Sequence, residues 1–164
     1  MRIHVRSVAA LAALLLSLAN CTSAQTGKPA TPFEPRVGQS GKDVVWVPSP
    51  QALVDRMLDM AKLTPKDFHM DLGSGDGITV ISAAKRGATS MGIEYEPPMV
   101  ELSKKNAQAA GVANKATFMK ADLFETDLSK ADVITMFLLP SINMRLRPTL
   151  QRRMASGMGG HRTT

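Results

Sequence analysis

The stretch Asp71-Leu-Gly-Ser-Gly-Asp-Gly77 constrains this chain more than any other. It follows an apolar run, Phe68 to Leu72, that reads as a strand. It precedes a helical pattern from Ile78 to Arg86, closed by Gly87. Three glycines at alternate positions allow tight turning and close backbone approach to a ligand. The helix that follows aims its first amide groups at that ligand. Strand, glycine loop and helix in this order make the first unit of a parallel α/β sheet.

The rest of the chain extends this pattern. Val44 to Val47 reads as a short extended segment ended by Pro48. Ser49 and Pro50 read as the N-cap and first-turn proline of a helix to about Leu63. Thr89 to Glu94 is a second strand, and Pro97 to Ala110 a helix with Gly111 after its end. Ala116 to Ala121 and Asp132 to Leu138 are the third and fourth strands. Pro140 to Met154 is expected to be partly helical, interrupted at Pro148. The apolar strands predict a parallel, doubly wound α/β sheet.

Two acids fall where such a sheet places ligand contacts. Glu94 ends the second strand, where an acid accepts hydrogen bonds from ribose hydroxyls. Asp122 follows the third strand, within reach of an adenine amino group. With Asp71, Gly73, Ser74, Gly75 and Gly77 they form a candidate nucleotide-type site at the C-terminal ends of three strands. A dinucleotide fingerprint wants Gly or Ala at its sixth position. Ile78 stands there, which argues against a nicotinamide-dependent oxidoreductase.

The formal charge of +6 invites a nucleic-acid reading that its distribution removes. Seven of the 20 basic residues lie in 1–24 and 145–164, which hold no acid. Residues 25–144 therefore carry 13 bases against 14 acids, and no nucleic-acid partner is expected. The single cysteine, Cys21, excludes an intramolecular disulfide or a cysteine-based zinc site. His4, His69 and His161 are scattered, so no metal is expected. Ser74 lacks the G-x-S-x-G elbow of a serine hydrolase.

The N-terminus has the order of a secretory signal. Arg2 and Arg6 precede the apolar run Ser7–Ala19, and small residues Thr22-Ser-Ala24 precede Gln25. The apolar run is too short to span a bilayer of roughly 30 Å. Leu18-Ala-Asn-Cys21 also resembles a bacterial lipoprotein box, with Asn20 where a small residue is preferred. Cleavage, a lipid on Cys21 or an uncleaved anchor are the alternatives, each placing the chain in a bacterial periplasm or cell envelope. The expected organisation is signal peptide 1–24, linker or extended arm 25–42, ligand-binding domain 43–154 and disordered tail 155–164.

The G-x-G-x-G spacing after Asp71 resembles motif I of the class I S-adenosylmethionine (SAM) methyltransferases, whose Rossmann-like sheet the strand pattern matches. That resemblance implies SAM as cofactor. The Asp71 position would hold its amino-acid part, Glu94 its ribose, and Asp122 would lie by its adenine. Val47-Pro-Ser-Pro50, Gly92-Ile-Glu-Tyr95, Phe137-Leu-Leu-Pro140, Asn143 and Leu146-Arg-Pro148 follow in one order. They resemble a group of small lysine methyltransferases acting on the c-ring protein of ATP synthase and the adenine nucleotide translocase, with bacterial signal-bearing relatives. The resemblance spans about Val44 to Leu150. Trp46 and Phe137 replace tyrosines of that group. It implies a methyltransferase acting on a protein lysine, with Phe137, Leu138, Leu139 and Pro140 as the turn that positions the substrate. A complete class I sheet has seven strands. Only four are placed here, apparently truncated after the fourth, so a catalytically inactive SAM-binding fragment is the competing expectation.

Overall fold

A computed structural model describes residues 33–42 and 45–156. The signal, the first part of the linker and all but two residues of the tail lie outside the described residues.

Helix α1 spans Gln51–Met60, followed by strand β1 (Phe68–Leu72), helix α2 (Ile78–Lys85) and strand β2 (Thr89–Glu94). Helix α3 (Pro97–Ala109), strands β3 (Ala116–Lys120) and β4 (Val133–Met136), and helix α4 (Pro140–Ser156) complete the order. The four strands form one parallel sheet in the order β3-β2-β1-β4. The α/β class and every expected strand are present.

Alternation along the strands sorts residues between two layers. Met70, Leu72, Ile93 and Ile134 face one way and pack with Ile142 and Leu146 of α4 and with Leu128 and Ala131. On the other face, Ala116 and Phe118 pack with Val80, Ile81 and Ala84 of α2 and with Val100 and Ala107 of α3. Val54 and Leu58 bury α1 against Ala83 of α2. Arg86 ties these two helices at the surface through Asp55 and Asp59.

Three local expectations change. Pro50, with φ −60° and ψ 139°, is itself the N-cap of α1, and Ser49 makes no capping bond. Helix α4 runs unbroken through Pro148. The proline forfeits one bond to the carbonyl of Met144. Pro148 and Met144 are both exposed, so water can take that carbonyl, while Ile142 and Leu146 anchor the helix from its buried side. Arg153 adds bonds to the carbonyls of Leu128 and Ala131, and α4 takes in Ala155 and Ser156 from the expected tail.

Residues 33–42, expected as part of a linker or arm, fold back on the domain. Gly38 and Gln39 pair with Trp46 through backbone bonds, and Ser40 bridges Val45. Gln39 reaches the sulfur of Met99, and Lys42 pairs with Asp122.

Candidate active site

A parallel sheet in this order opens a crevice at its carboxyl edge, between β1 and β4, where the direction of winding reverses. The loop after β1 fills its floor. Gly73, Gly75 and Gly77 all have positive φ, from 55° to 86°. Backbone N–H groups of Gly73 and Ser74 bond the carbonyl of Ile93, fixing the loop to β2. An added Cβ at Gly73 would lie 2.7 Å from Leu138 Cδ2, and one at Gly75 would lie 2.8 Å from Trp46 Nε1. The missing side chains thus let the turn after β4 and the N-terminal arm close over the loop.

Gly77 differs. A Cβ there would meet Phe118 and Ser103, and Gly77 lies outside the cavities that Gly73 and Gly75 line. Its lack of a side chain serves the packing of β3 and α3 against the loop, whereas the spacing suggested ligand approach.

The main cleft is lined by Gly73, Gly75, Glu94, Asp122, Phe137 and Leu138, with Lys42 and Trp46 of the arm. It opens to solvent at its mouth, and its lining sets a few charged side chains among apolar ones. A narrower extension passes Asp71, Ser74, Asp76, Thr79, Trp46 and Phe137. The structure therefore brings together Asp71, Gly73, Ser74, Gly75, Glu94, Asp122, Phe137 and Leu138. Leu139 is 47% exposed and Pro140 opens α4, and neither lines these cavities.

Each carboxylate sits in a different electrostatic setting. Asp71 is buried, and burial pushes it up to about 7 despite hydroxyl bonds from Thr135 and Thr79; the charges of Glu94 and Asp76 add to the rise. Glu94 is pinned by three backbone donors: Gly75 N at 2.9 Å from Oε2, and Tyr95 N and Glu96 N at 2.8 and 3.0 Å from Oε1. Asp122 is held below the usual carboxylate range by the Lys42 ammonium and by the backbone N–H of Phe124. Lys42 also lies 4.5 Å from the centre of the Tyr95 ring.

Two contributors escape a reading of the sequence. Lys42 belongs to a segment without periodicity, and nothing local announces its partner 80 residues on. His69 stands far from the other histidines in sequence, yet it lies two residues before Asp71 on one strand face. That i, i+2 spacing is a usable signal. Among the described residues, no group of His, Cys, Asp and Glu is arranged to hold a metal ion.

A family model described as the ANTKMT methyltransferase domain matches residues 71–159. A protein-lysine N-methyltransferase of Saccharolobus islandicus (strain REY15A) is 38% identical over 116 residues, which cover 70% of this chain and 72% of that protein. The adenine nucleotide translocase lysine N-methyltransferase of Mus musculus is 30% identical over 115 residues, covering 70% of this chain and 50% of that protein. The chain thus spans about half the length of the mouse relative. Among solved structures, an RNA methyltransferase from Salinibacter ruber in complex with S-adenosyl-L-homocysteine is 49% identical. It aligns with a TM-score of 0.64 over 65% of this chain and 71% of that one. The four-stranded parallel sheet is similar to that of the class I methyltransferases, and the cofactor of the family is SAM. The matched span begins at Asp71 and runs past the turn after β4, so it takes in the glycine loop, Glu94, Asp122 and that turn, and the chain belongs to the ANTKMT-type methyltransferase family.

Proposed function

We propose that this chain transfers a methyl group from SAM to a lysine amine of a protein substrate. The carrying observation is the closure of one cleft by the glycine loop, two strand-end acids and the apolar turn after β4, in a chain so similar to a named protein-lysine N-methyltransferase.

The donor set fits SAM. Asp71 is an acid whose ionisation burial suppresses, pushing it up to about 7, and an ammonium group placed beside it would restore its charge. Glu94 is locked in one orientation by its three amide donors, which leaves one acceptor site on Oε2 for a ribose hydroxyl. Gly75 has no side chain to hold Trp46 off the loop, so the indole ring closes against the backbone that lines the cleft. Asp122 would lie by the adenine, with Lys42 still paired to it.

Bound SAM supplies a methyl group already activated on a sulfonium. The protein must hold a neutral amine in line with it and keep water out. Leu138, seated on Gly73, and Trp46 wall the reacting end with apolar surface. Asn143 Nδ2 donates to the carbonyl of Leu138 at 3.4 Å and steadies the turn. Phe137, 52% exposed, stands at the rim where a substrate chain enters. The turn acts by position.

An RNA acceptor is the alternative to weigh, because the Salinibacter relative carries that name. The charged residues lining the cleft are Lys42, Glu94, Glu96 and Asp122. Residues 25–144 carry 13 bases against 14 acids and offer no net positive field to a phosphate backbone, which favours protein. The test is transfer of radiolabelled methyl from SAM to a bacterial envelope protein extract and, separately, to total RNA. Label recovered as methyl-lysine after acid hydrolysis is expected. Label confined to RNA overturns the reading.

Export is proposed from the Arg2/Arg6, apolar and small-residue order of residues 1–24. Mass spectrometry of the mature chain from a bacterial host is expected to find a start at Gln25, or a lipid on Cys21. An intact, unmodified Met1 terminus in the cytoplasmic fraction argues against it.

A further inference from the structure

A thread of buried polar side chains crosses the sheet beneath the cleft. Parallel register sets His69 beside Ser90 of β2, and Asp71 beside Thr135 of β4. All four are buried, on the strand face that packs toward α2. His69 Nδ1 lies 2.6 Å from Ser90 Oγ, and His69 Nε2 lies 2.8 Å from Thr135 Oγ1. Thr135 Oγ1 in turn donates to Asp71 Oδ1 at 2.6 Å.

A hydroxyl has one proton to give. When Asp71 is ionised it takes the Thr135 proton, only lone pairs remain toward His69, and Nε2 must carry the ring proton. Nδ1 is then an acceptor, and Ser90 donates to it. Every proton in the thread points toward Asp71. The opposite tautomer would draw the Thr135 proton to the ring and away from the carboxylate.

We propose that His69 is a positioning residue for cofactor binding: as the Nε2–H tautomer held by Ser90, it commits the Thr135 proton to Asp71 and keeps that carboxylate an oriented acceptor for the ammonium group of SAM. This rests on the assignment of Asp71 to that ammonium. Burial lowers His69 to about 4, so the ring stays neutral near pH 7 and keeps a single proton. Asp71 is pushed up to about 7 by burial, so the loss of one committed donor changes its charge in the working pH range. The groups that act on it are His69 on its own strand, Glu94 at the end of β2, Asp76 before α2, and the hydroxyls of Thr135 on β4 and Thr79 on α2.

The test uses the full chain and S-adenosylhomocysteine as probe, which has the same ammonium group. Nitrogen NMR of labelled histidine at about pH 8.5, where Asp71 is ionised, is expected to show His69 as the neutral Nε2–H tautomer, with and without the probe. An Nδ1–H or doubly protonated ring overturns the proposal, and this measurement needs no variant. Calorimetry from about pH 5.5 to 8.5 supplies the second arm. Wild-type affinity is expected to rise with pH as Asp71 ionises, then level off. Ser90→Ala moves that midpoint upward, weakening binding about three- to tenfold below it and little above it. His69→Gln, whose amide can still donate to Thr135, stays within about threefold. A Ser90→Ala loss equal at every pH, or an unmoved midpoint, overturns the relay. Asp71→Asn separates the two ideas. Wild-type affinity in that variant overturns the cofactor assignment itself. Weak binding there beside an unmoved Ser90→Ala midpoint overturns the relay alone.

Discussion

Gly75→Val is expected to abolish cofactor binding while the sheet still folds. Gly75 has φ +55°, a conformation that costs an L-residue about 1–2 kcal/mol and a β-branched one more. Its new Cβ would lie 2.8 Å from Trp46 Nε1 and 3.3 Å from Cδ1 of the same ring. Two further methyl groups would enter the cleft beside Glu94, whose Oε2 accepts the Gly75 N–H. Any shift of that amide to relieve the strain also releases Glu94 from the orientation it needs toward the ribose. Trp46 sits on the N-terminal arm and is only half-buried, so the ring can move without opening the core. Affinity for S-adenosylhomocysteine by calorimetry should fall about a hundredfold or more, with the circular dichroism spectrum unchanged. Trp46 is the only tryptophan of the chain, so its fluorescence reports the same event from inside the site. Wild-type affinity in a folded variant would place the ligand away from this loop.

The difference between what the sequence discloses and what it conceals follows the range of the interactions. Asp71, Gly73, Gly75 and Glu94 are legible because strand, loop and strand-end acid lie within one βαβ unit, where the chain direction dictates their meeting. The first two strands are legible because glycine and proline bound their runs, and the fourth because its run is strongly apolar and stops short of Pro140. Contacts that depend on strand register are not. Ser90 and Thr135 reach His69 only because β2 and β4 flank β1 with a particular alignment, and no local pattern states that alignment. The arm departs from expectation for a related reason. Gly, Pro and Ser between 33 and 42 signal a lack of regular structure, which is compatible with packing through Gln39 and Lys42 against distant partners. Pro148 shows the reverse case, in which a strong local signal yields to the burial of Ile142 and Leu146.

Gly92→Val should be the most destabilising single change in the sheet, for a reason unrelated to φ. Gly92 is mid-strand in β2, paired with Asp71 on one side and Phe118 on the other. A Cβ at this position would lie 2.5 Å from Ser74 Oγ, 2.7 Å from Ser74 Cβ and 2.7 Å from Phe118 Cδ1. Neither neighbour is free to retreat. Ser74 is 4% exposed, and its backbone N–H is bonded to the carbonyl of Ile93. Phe118 is already pressed toward Gly77, where an added Cβ would approach its ring to 2.8 Å. Overpacking such a site costs about 3 kcal/mol, enough to lower the melting temperature by roughly 10 °C. The cofactor loop rides on the same contact, so binding falls with stability. Gly111→Ala is the matching control: its φ is +70° but nothing lies within 4 Å of the added Cβ, so only the conformational cost of about 1 kcal/mol remains. Adding Ser74→Gly to Gly92→Ala removes two of the three close contacts and should recover part of the loss by thermal denaturation. If the double variant melts lower than Gly92→Ala alone, the clash with Ser74 is not what makes glycine necessary at this position.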